Sequence, residues 1–423
     1  MALLNSWDCA DSIVNMVFDT TASNTGHVTG ACVSIQQELG RALLWSACRH
    51  HVGETIIRHV FDDLKIEVSK SPDVTVFSRF RKNFELAPHS GNIKLSKFDM
   101  SAYGESAQDL IQDWRADSLA TASSNLQFQR DDYHEFSELC QLFLLADERS
   151  DEQTKTDFSF KRPGAVHKAR WMAKVIYALK ISLLETEIEA LPAGTITTHQ
   201  QVPKIREFVN FVSLIYFRWW STCSSALDAP WNDLQLFKRM ILYAAVNPHI
   251  SQSSLTAFKR HMWYLTPEMV PLALFSDSVP NNERQGLAER LLTLKPDDTD
   301  SLPRNRFGTG FGKPKFPEDI NENTTLADIV TEDSWYIFKL LDLNPDFLSK
   351  GVDDWETSDS YITSKSHVSS INVTNDCAER AVKLSADYAS AARKEDNYQN
   401  ILHVVESDRK CTPNLRNPKK KRL

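Results

Sequence analysis

Residues 12–30 read SIVNMVFDTTASNTGHVTG. Ile13, Val14, Met16, Val17 and Phe18 form a nearly continuous apolar run, the pattern of a short strand buried on both faces. The run stops at Asp19, and a polar loop bracketed by Gly26 and Gly30 follows. A helix is expected over about 29–40, with Val33, Gln36, Gln37 and Leu39 setting its period and Gly40 ending it. The second apolar run, ALLWSA at 42–47, reads as another strand. It leads through CRHH (48–51) into a helix over 52–64, with Ile56, Ile57, Val60 and Phe61 on one face. Strand, helix, strand, helix is an α/β unit.

Beyond this unit the pattern changes. Helical periodicity runs through 73–84, 107–114, 131–146, 167–184, 204–221, 234–246, 252–261 and 283–294. Residues 295–325 hold four Pro and three Gly and read as loop. Residues 352–370 are rich in Ser and Asp and read as a flexible connection; helical patterns return over 378–392 and 398–407. The expected organisation is therefore an α/β part at 1–68, a helical domain at 69–294, a loop-rich remainder at 295–370, returning helices at 371–408 and a basic tail at 409–423. The fold class is α/β with a large α-helical part.

Composition bounds the function. The 423 residues are 42% hydrophobic and 25% charged, the balance of a globular protein with ample core. No apolar run approaches the length of a membrane span, and the start, MALLNSWDCADS, lacks the layout of a signal peptide. The seven cysteines are scattered without a CxxC pair, which suits a reducing compartment. The net charge of −8 is uneven: RKCTPNLRNPKKKRL at 409–423 carries seven basic residues and no acid, so the rest is more acidic still. Such a body does not coat phosphates as a whole, and any nucleic-acid contact is local.

Several side chains are candidates for chemistry. Asp19, at the C-terminal end of a buried strand, stands where α/β sheets meet ligands and metals. Fixed at one end and solvated at the other, it suits a hard divalent cation; the plainer reading is an Asx turn into a Thr/Ser/Asn loop. Cys48 and His51 have CxxH spacing, but a zinc site needs a second pair and none is evident, so a buried Cys beside a hydrogen-bonded His is the plainer reading. Glu379 opens a helix, either in an exposed pair with Lys383 or as a metal ligand facing the sheet. Lys168, Arg170 and Lys174 flank Trp171 and could meet phosphates, as could Arg304, Arg306, Lys313 and Lys315 around a glycine-rich loop that lacks the Walker spacing. FVSLIYFRWW at 211–220 reads as core. Lys419, Lys420, Lys421 and Arg422 after Pro418 form a nuclear-import type of run, with a solvating tail as the plainer alternative.

Taken together, FDTTASNTG, CRHH and DCAERAVKL resemble the RNase H-like catalytic domain of cut-and-paste transposases, nearest to the hAT type. The resemblance implies a partial RNase H-like α/β core interrupted by a long all-helical insertion. It implies that Asp19, with Asn24 behind it, is the second catalytic carboxylate, that Cys48 and His51 are the structural CxxH, and that Glu379 is the returning catalytic Glu. Mg²⁺ or Mn²⁺ would be the cofactor and DNA the substrate. Two-metal chemistry uses three carboxylates, and the family carries the first on an earlier strand. Asp8 and Asp11 lie too near Asp19 to fill that place. The expectation is that the chain begins inside the fold and, as it stands, does not cut DNA. The competing readings are a non-enzymatic nuclear module that binds protein or DNA through the helical domain, and a helical scaffold unrelated to transposition. None of them involves a membrane, and none sets an oligomeric state.

Overall fold

In the computed structural model the chain divides into Met1–Thr374 and Asn375–Leu423. Residues 8–374 are described here, apart from 9, 27, 67–73, 88, 91–92, 96–99, 125–127, 129, 146–154, 157, 165–169 and 297–314. The protein is mostly helical, and its larger sheet is a parallel pair of strands.

Strand β1 (Asn15–Phe18) pairs with β2 (Leu44–Ala47) in register Asn15↔Leu44 through Phe18↔Ala47. Parallel strands need a crossover, and helix α1 (Ala31–Leu39) supplies it. Gly40 ends α1 at φ +64°, a left-handed conformation that glycine adopts without a Cβ penalty. There Arg41 N–H donates to the Gln36 carbonyl and Gly40 N–H to that of Gln37, the paired bonds of a Schellman motif. The buried Gln36 side chain then ties α1 to the sheet: its Oε1 accepts from Leu43 N–H (2.8 Å) and Trp45 Nε1–H (3.0 Å).

The burial of the two strands differs. β2 is buried at every position, whereas β1 alternates, with Met16 and Phe18 inward and Asn15 and Val17 half-buried. The expectation of a strand covered on both faces is therefore corrected for β1, whose single strand neighbour among the described residues is β2; β2, read only as a strand, is the one buried throughout. The polar loop after Asp19 contains a helical turn, Ala22–Thr25.

Helix α2 (Arg49–Asp63) begins directly at the end of β2, three residues earlier than its apolar period suggests. Cys48 N–H donates to the Phe18 carbonyl (2.7 Å), continuing the β1–β2 ladder into the helix start. Helices α3 (Thr75–Lys82), α4 (Glu105–Ser123), α5 (Asp131–Leu145), α6 (Arg170–Leu183) and α7 (Gln201–Phe211) follow. The pattern at 204–221 is one helical stretch with an internal change of winding. After α7 comes a π-helical segment, Val212–Tyr216, and then α8 (Phe217–Ser221). Helices α9 (Ala229–Leu242), α10 (Pro248–Phe258) and α11 (Asn281–Thr293) complete the block. Helix α2 packs on α10 and α6, so block and sheet share one core. Ile93–Lys94 and Lys155–Thr156 form a small antiparallel pair that the helical reading of this region does not include.

Residues 352–370 are not a flexible connection. They form a 3₁₀ segment, Val352–Thr357, and helix α12 (Asp359–Ser369). Ser and Asp lower helix propensity, but tertiary packing overrides it. Tyr361, Ser364 and Val368 recur at helical spacing and are buried, and Tyr361 packs with Trp355, Phe347 and Phe275. Among the described residues no helix is long and apolar enough to cross a membrane.

Candidate functional site

Asp19 stands one residue beyond β1, and the loop that follows holds its carboxylate. Oδ1 accepts from Thr21 N–H (3.2 Å), Thr21 Oγ1–H (2.6 Å) and Asn24 Nδ2–H (2.7 Å). Asn24 also donates to the Asp19 carbonyl (3.1 Å). The first of these bonds is the Asx turn that the loop composition suggests, and Asn24 is the residue that the resemblance places behind Asp19. Among the described residues no hydrogen bond reaches Oδ2. Oδ1 is thus held by three donors. Partial burial works to raise the Asp19 carboxyl, but the Thr21 bonds, the nearby His51 and Asn24 outweigh it and hold the group below its usual value. Its charged form adds stability above the ordinary carboxylate range, and this is lost as pH falls through the lowered value.

The CxxH residues occupy the start of α2. Cys48 is buried at the helix N-cap, and His51 Nδ1 lies 3.3 Å from Glu54 Oε2. His51 acts on Asp19 through its charge. Among the described residues no group of three His, Cys, Asp or Glu side chains gathers to hold a metal. An ionised carboxylate oriented through one oxygen is one of the several oxygen donors that a hard cation takes. Glu379 lies outside the described residues.

Cys32, on α1, is 3% exposed. Burial first, and then the Asp19 charge, push its thiol up to about 12. A folded value above the ordinary thiol keeps Cys32 neutral through the physiological range, and the stability this brings is lost only as pH rises past the unfolded value. The native protein at pH 8 is expected to leave Cys32 unalkylated by iodoacetamide, with full modification in denaturant, read by peptide mass spectrometry. Native modification at the rate of a model thiol would contradict this.

Of the two residues between the motif positions, Arg49 ties the site to the helical block. Arg49 is fully buried, and its Nη2 lies 2.6 Å from Asp233 Oδ1 on α9. Its Nη1 donates to the Cys223 carbonyl (3.2 Å). The guanidinium lies 5.1 Å from the Trp219 ring centre and 5.5 Å from that of Tyr264. Trp219 Nε1–H donates to the same Asp233 oxygen (2.7 Å), and Tyr264 Oη–H donates to the Ala47 carbonyl (2.7 Å). Burial works against the charge on Arg49, yet the Asp233 carboxylate prevails and holds the guanidinium protonated. The backbone N–H of Arg49 donates to the Val373 carbonyl (2.9 Å), so the late chain comes back to the same end of the sheet. Sequence reasoning missed Arg49 and Asp233. An arginine between Cys48 and His51 carries no local sign of a partner 184 residues away.

The basic candidates divide. Lys174 pairs with Asp62 (3.3 Å) and lies over the Phe61 ring. Lys315 pairs with Glu318 (3.2 Å) and lines a cleft of about 750 Å³ whose other charged residues are Glu268, Glu318, Asp319, Asp328 and Asp333. The side chain of Arg170 and residues Lys168, Arg304, Arg306, Lys313, Lys419, Lys420, Lys421 and Arg422 lie outside the described residues. The stretch 211–220 is core, as its composition suggests, apart from the half-buried Arg218. No protein-family model, curated protein or solved structure matches this chain.

Proposed function

We propose that this chain is a transposon-derived protein of the RNase H-like kind, descended from an enzyme of DNA strand cleavage and transfer, in which Asp19 and Glu379 hold Mg²⁺ or Mn²⁺. The observation that carries the reading is the end of the parallel sheet. Asp19 leaves β1 there with one carboxylate oxygen held by Thr21 and Asn24, and at the same end the Val373 carbonyl accepts the Arg49 N–H. A partial RNase H-like core interrupted by a helical domain accounts for two parallel strands followed by a long helical block.

When bound, such a metal supplies charge stabilisation at a phosphoryl group and activates the attacking oxygen. The role of this chain's own residues is to bind and orient. Thr21 and Asn24 hold Asp19, and His51 favours its ionised form. The resemblance matches Asp19 and Glu379 to two of the three carboxylates of two-metal chemistry, so this chain is expected to bind metal without cutting DNA.

The test is Mn²⁺ titration of the full chain followed by electron paramagnetic resonance. The intact protein is expected to bind Mn²⁺, and Asp19→Asn and Glu379→Gln each to weaken binding at least about tenfold, in line with the cost of losing a metal-site group. Binding unchanged in both variants would overturn the reading. Robust Mn²⁺-dependent cleavage of a duplex, lost in Asp19→Asn, would overturn the expectation of inactivity.

A second reading is a non-enzymatic nuclear module that uses the helical domain, with the run at 418–423 as its import signal. The paired Lys174 and the carboxylate-lined cleft at Lys315 favour protein partners over DNA on the described surface.

A further inference from the structure

We propose that Arg218 and Arg239 form a binding site for a single phosphate group on the helical block, independent of the sheet end and of any metal. Arg218 lies on α8 and Arg239 on α9, and both reach one carboxylate on α4. Asp117 Oδ2 lies 3.0 Å from Arg218 Nε and also accepts from Arg239 Nη2. Two guanidiniums thus converge on one oxygen. Among the described residues no second carboxylate pairs with either of them, so the cluster carries one positive charge in excess.

Hydrogen bonding is incomplete in the same place. Arg239 Nη1 is buried and has no hydrogen-bond partner among the described residues. No hydrogen bond among those residues engages either Nη of Arg218. The side chains of Arg218 and Asp117 are 27% and 38% exposed, so the cluster is open to solvent. Burial first, and then the Arg218 charge, lower Arg239 from the ordinary arginine value, and Asp117 does not outweigh them. A buried donor without an acceptor and two like charges on one counter-charge both cost stability, and an added anion removes both costs. The sequence places Arg218 as the one charged residue in the apolar stretch 211–220. The π-helical segment Val212–Tyr216 ends just before it and changes the winding, and π-helical turns of this kind are frequent at functional sites. Phe217, Trp219 and Trp220 stay in the core, while Arg218 leaves it for Asp117.

Guanidinium forks fit phosphate oxygens as they fit carboxylate oxygens. Phosphate suits this cluster better than a second carboxylate, because it offers acceptor oxygens to both forks while Asp117 stays in place. One spare charge serves one phosphate group, not the row of phosphates along a duplex. The ligand class is therefore inorganic phosphate or a small phosphate monoester.

The experiment is isothermal titration of the full chain at fixed ionic strength with inorganic phosphate, with methyl phosphate and with a duplex oligonucleotide. The parent is compared with Arg218→Gln, Arg239→Gln and the exposed control Arg260→Gln. Phosphate is expected to saturate one site, and each of the first two variants to weaken it at least about tenfold, the range for a lost hydrogen bond to a charged group. The control is expected to match the parent. Tighter binding of methyl phosphate supports the site with an ester as its ligand, and tighter binding of inorganic phosphate supports it with the free ion. No saturable phosphate binding, or parent affinity in the folded Arg218→Gln and Arg239→Gln variants, overturns the proposal. So does duplex binding that needs both arginines and is not displaced by phosphate. Should the variants not fold, parent crystals soaked in selenate decide: an anomalous peak in contact with both guanidiniums supports the proposal, and its absence there overturns it.

Discussion

Asp233→Leu is expected to destabilise the protein by about 3–5 kcal/mol, measured by urea unfolding, because it leaves the Arg49 guanidinium buried without its counter-charge. The side chains of Arg49 and Asp233 are 1% and 2% exposed, so water does not replace the lost carboxylate. The Cys223 carbonyl and the rings of Trp219 and Tyr264 remain, but these are dipoles and quadrupoles rather than a charge. The Trp219 N–H loses its acceptor in the same variant. Adding Arg49→Met is expected to recover most of the loss, since the unpaired charge goes with it. A single variant that costs less than about 1 kcal/mol, the range of an exposed pair, would show that the guanidinium reaches solvent.

Trp45→Ala is expected to cost a similar amount, about 3–5 kcal/mol, for a different reason. Trp45 sits on β2 at 1% exposure and is stacked on Trp263 at 5.9 Å between ring centres, with Phe18 edge-on at 5.4 Å. Removing the indole opens a cavity between two strands and a loop of the helical block, and neither strand can close it without leaving its ladder. Gln36 Oε1 also loses one of its two donors. Leu292→Ala is the control: at 39% exposure it is expected to change stability by no more than about 0.5 kcal/mol. Equal effects for the two substitutions would contradict the packing described.

The parts of the fold that could be read from sequence are those whose cause is local. The runs at 12–19 and 42–47 gave strands because continuous apolar residues bounded by Asp19 and by CRHH leave few alternatives. Gly40 marked the end of α1 because a left-handed residue is needed there. The helical periods between 73 and 294 recur as helices with ends shifted by several residues. Local composition misled at 352–370, where Trp355, Tyr361 and Val368 find a core supplied by Phe275 and Phe347. Nor can a local pattern announce the π-helical turn at Val212–Tyr216 or the two-residue strands at 93–94 and 155–156, whose pairing depends on distant chain.

The candidate site follows the same division. Asp19 and Asn24 are five residues apart, and their bond was within reach of a sequence reading. Arg49 and Asp233 were not, because a buried charge and its partner far along the chain look like any surface pair. CRHH drew attention for its Cys and His, whereas the structural weight falls on the Arg between them.

The most direct measurement is anomalous diffraction from crystals of the full chain grown with Mn²⁺. A manganese peak in contact with carboxylate oxygens of both Asp19 and Glu379 is the predicted result. An ordered structure with those two carboxylates on opposite sides of the protein, or with manganese bound away from both, would contradict the metal centre on which the account depends.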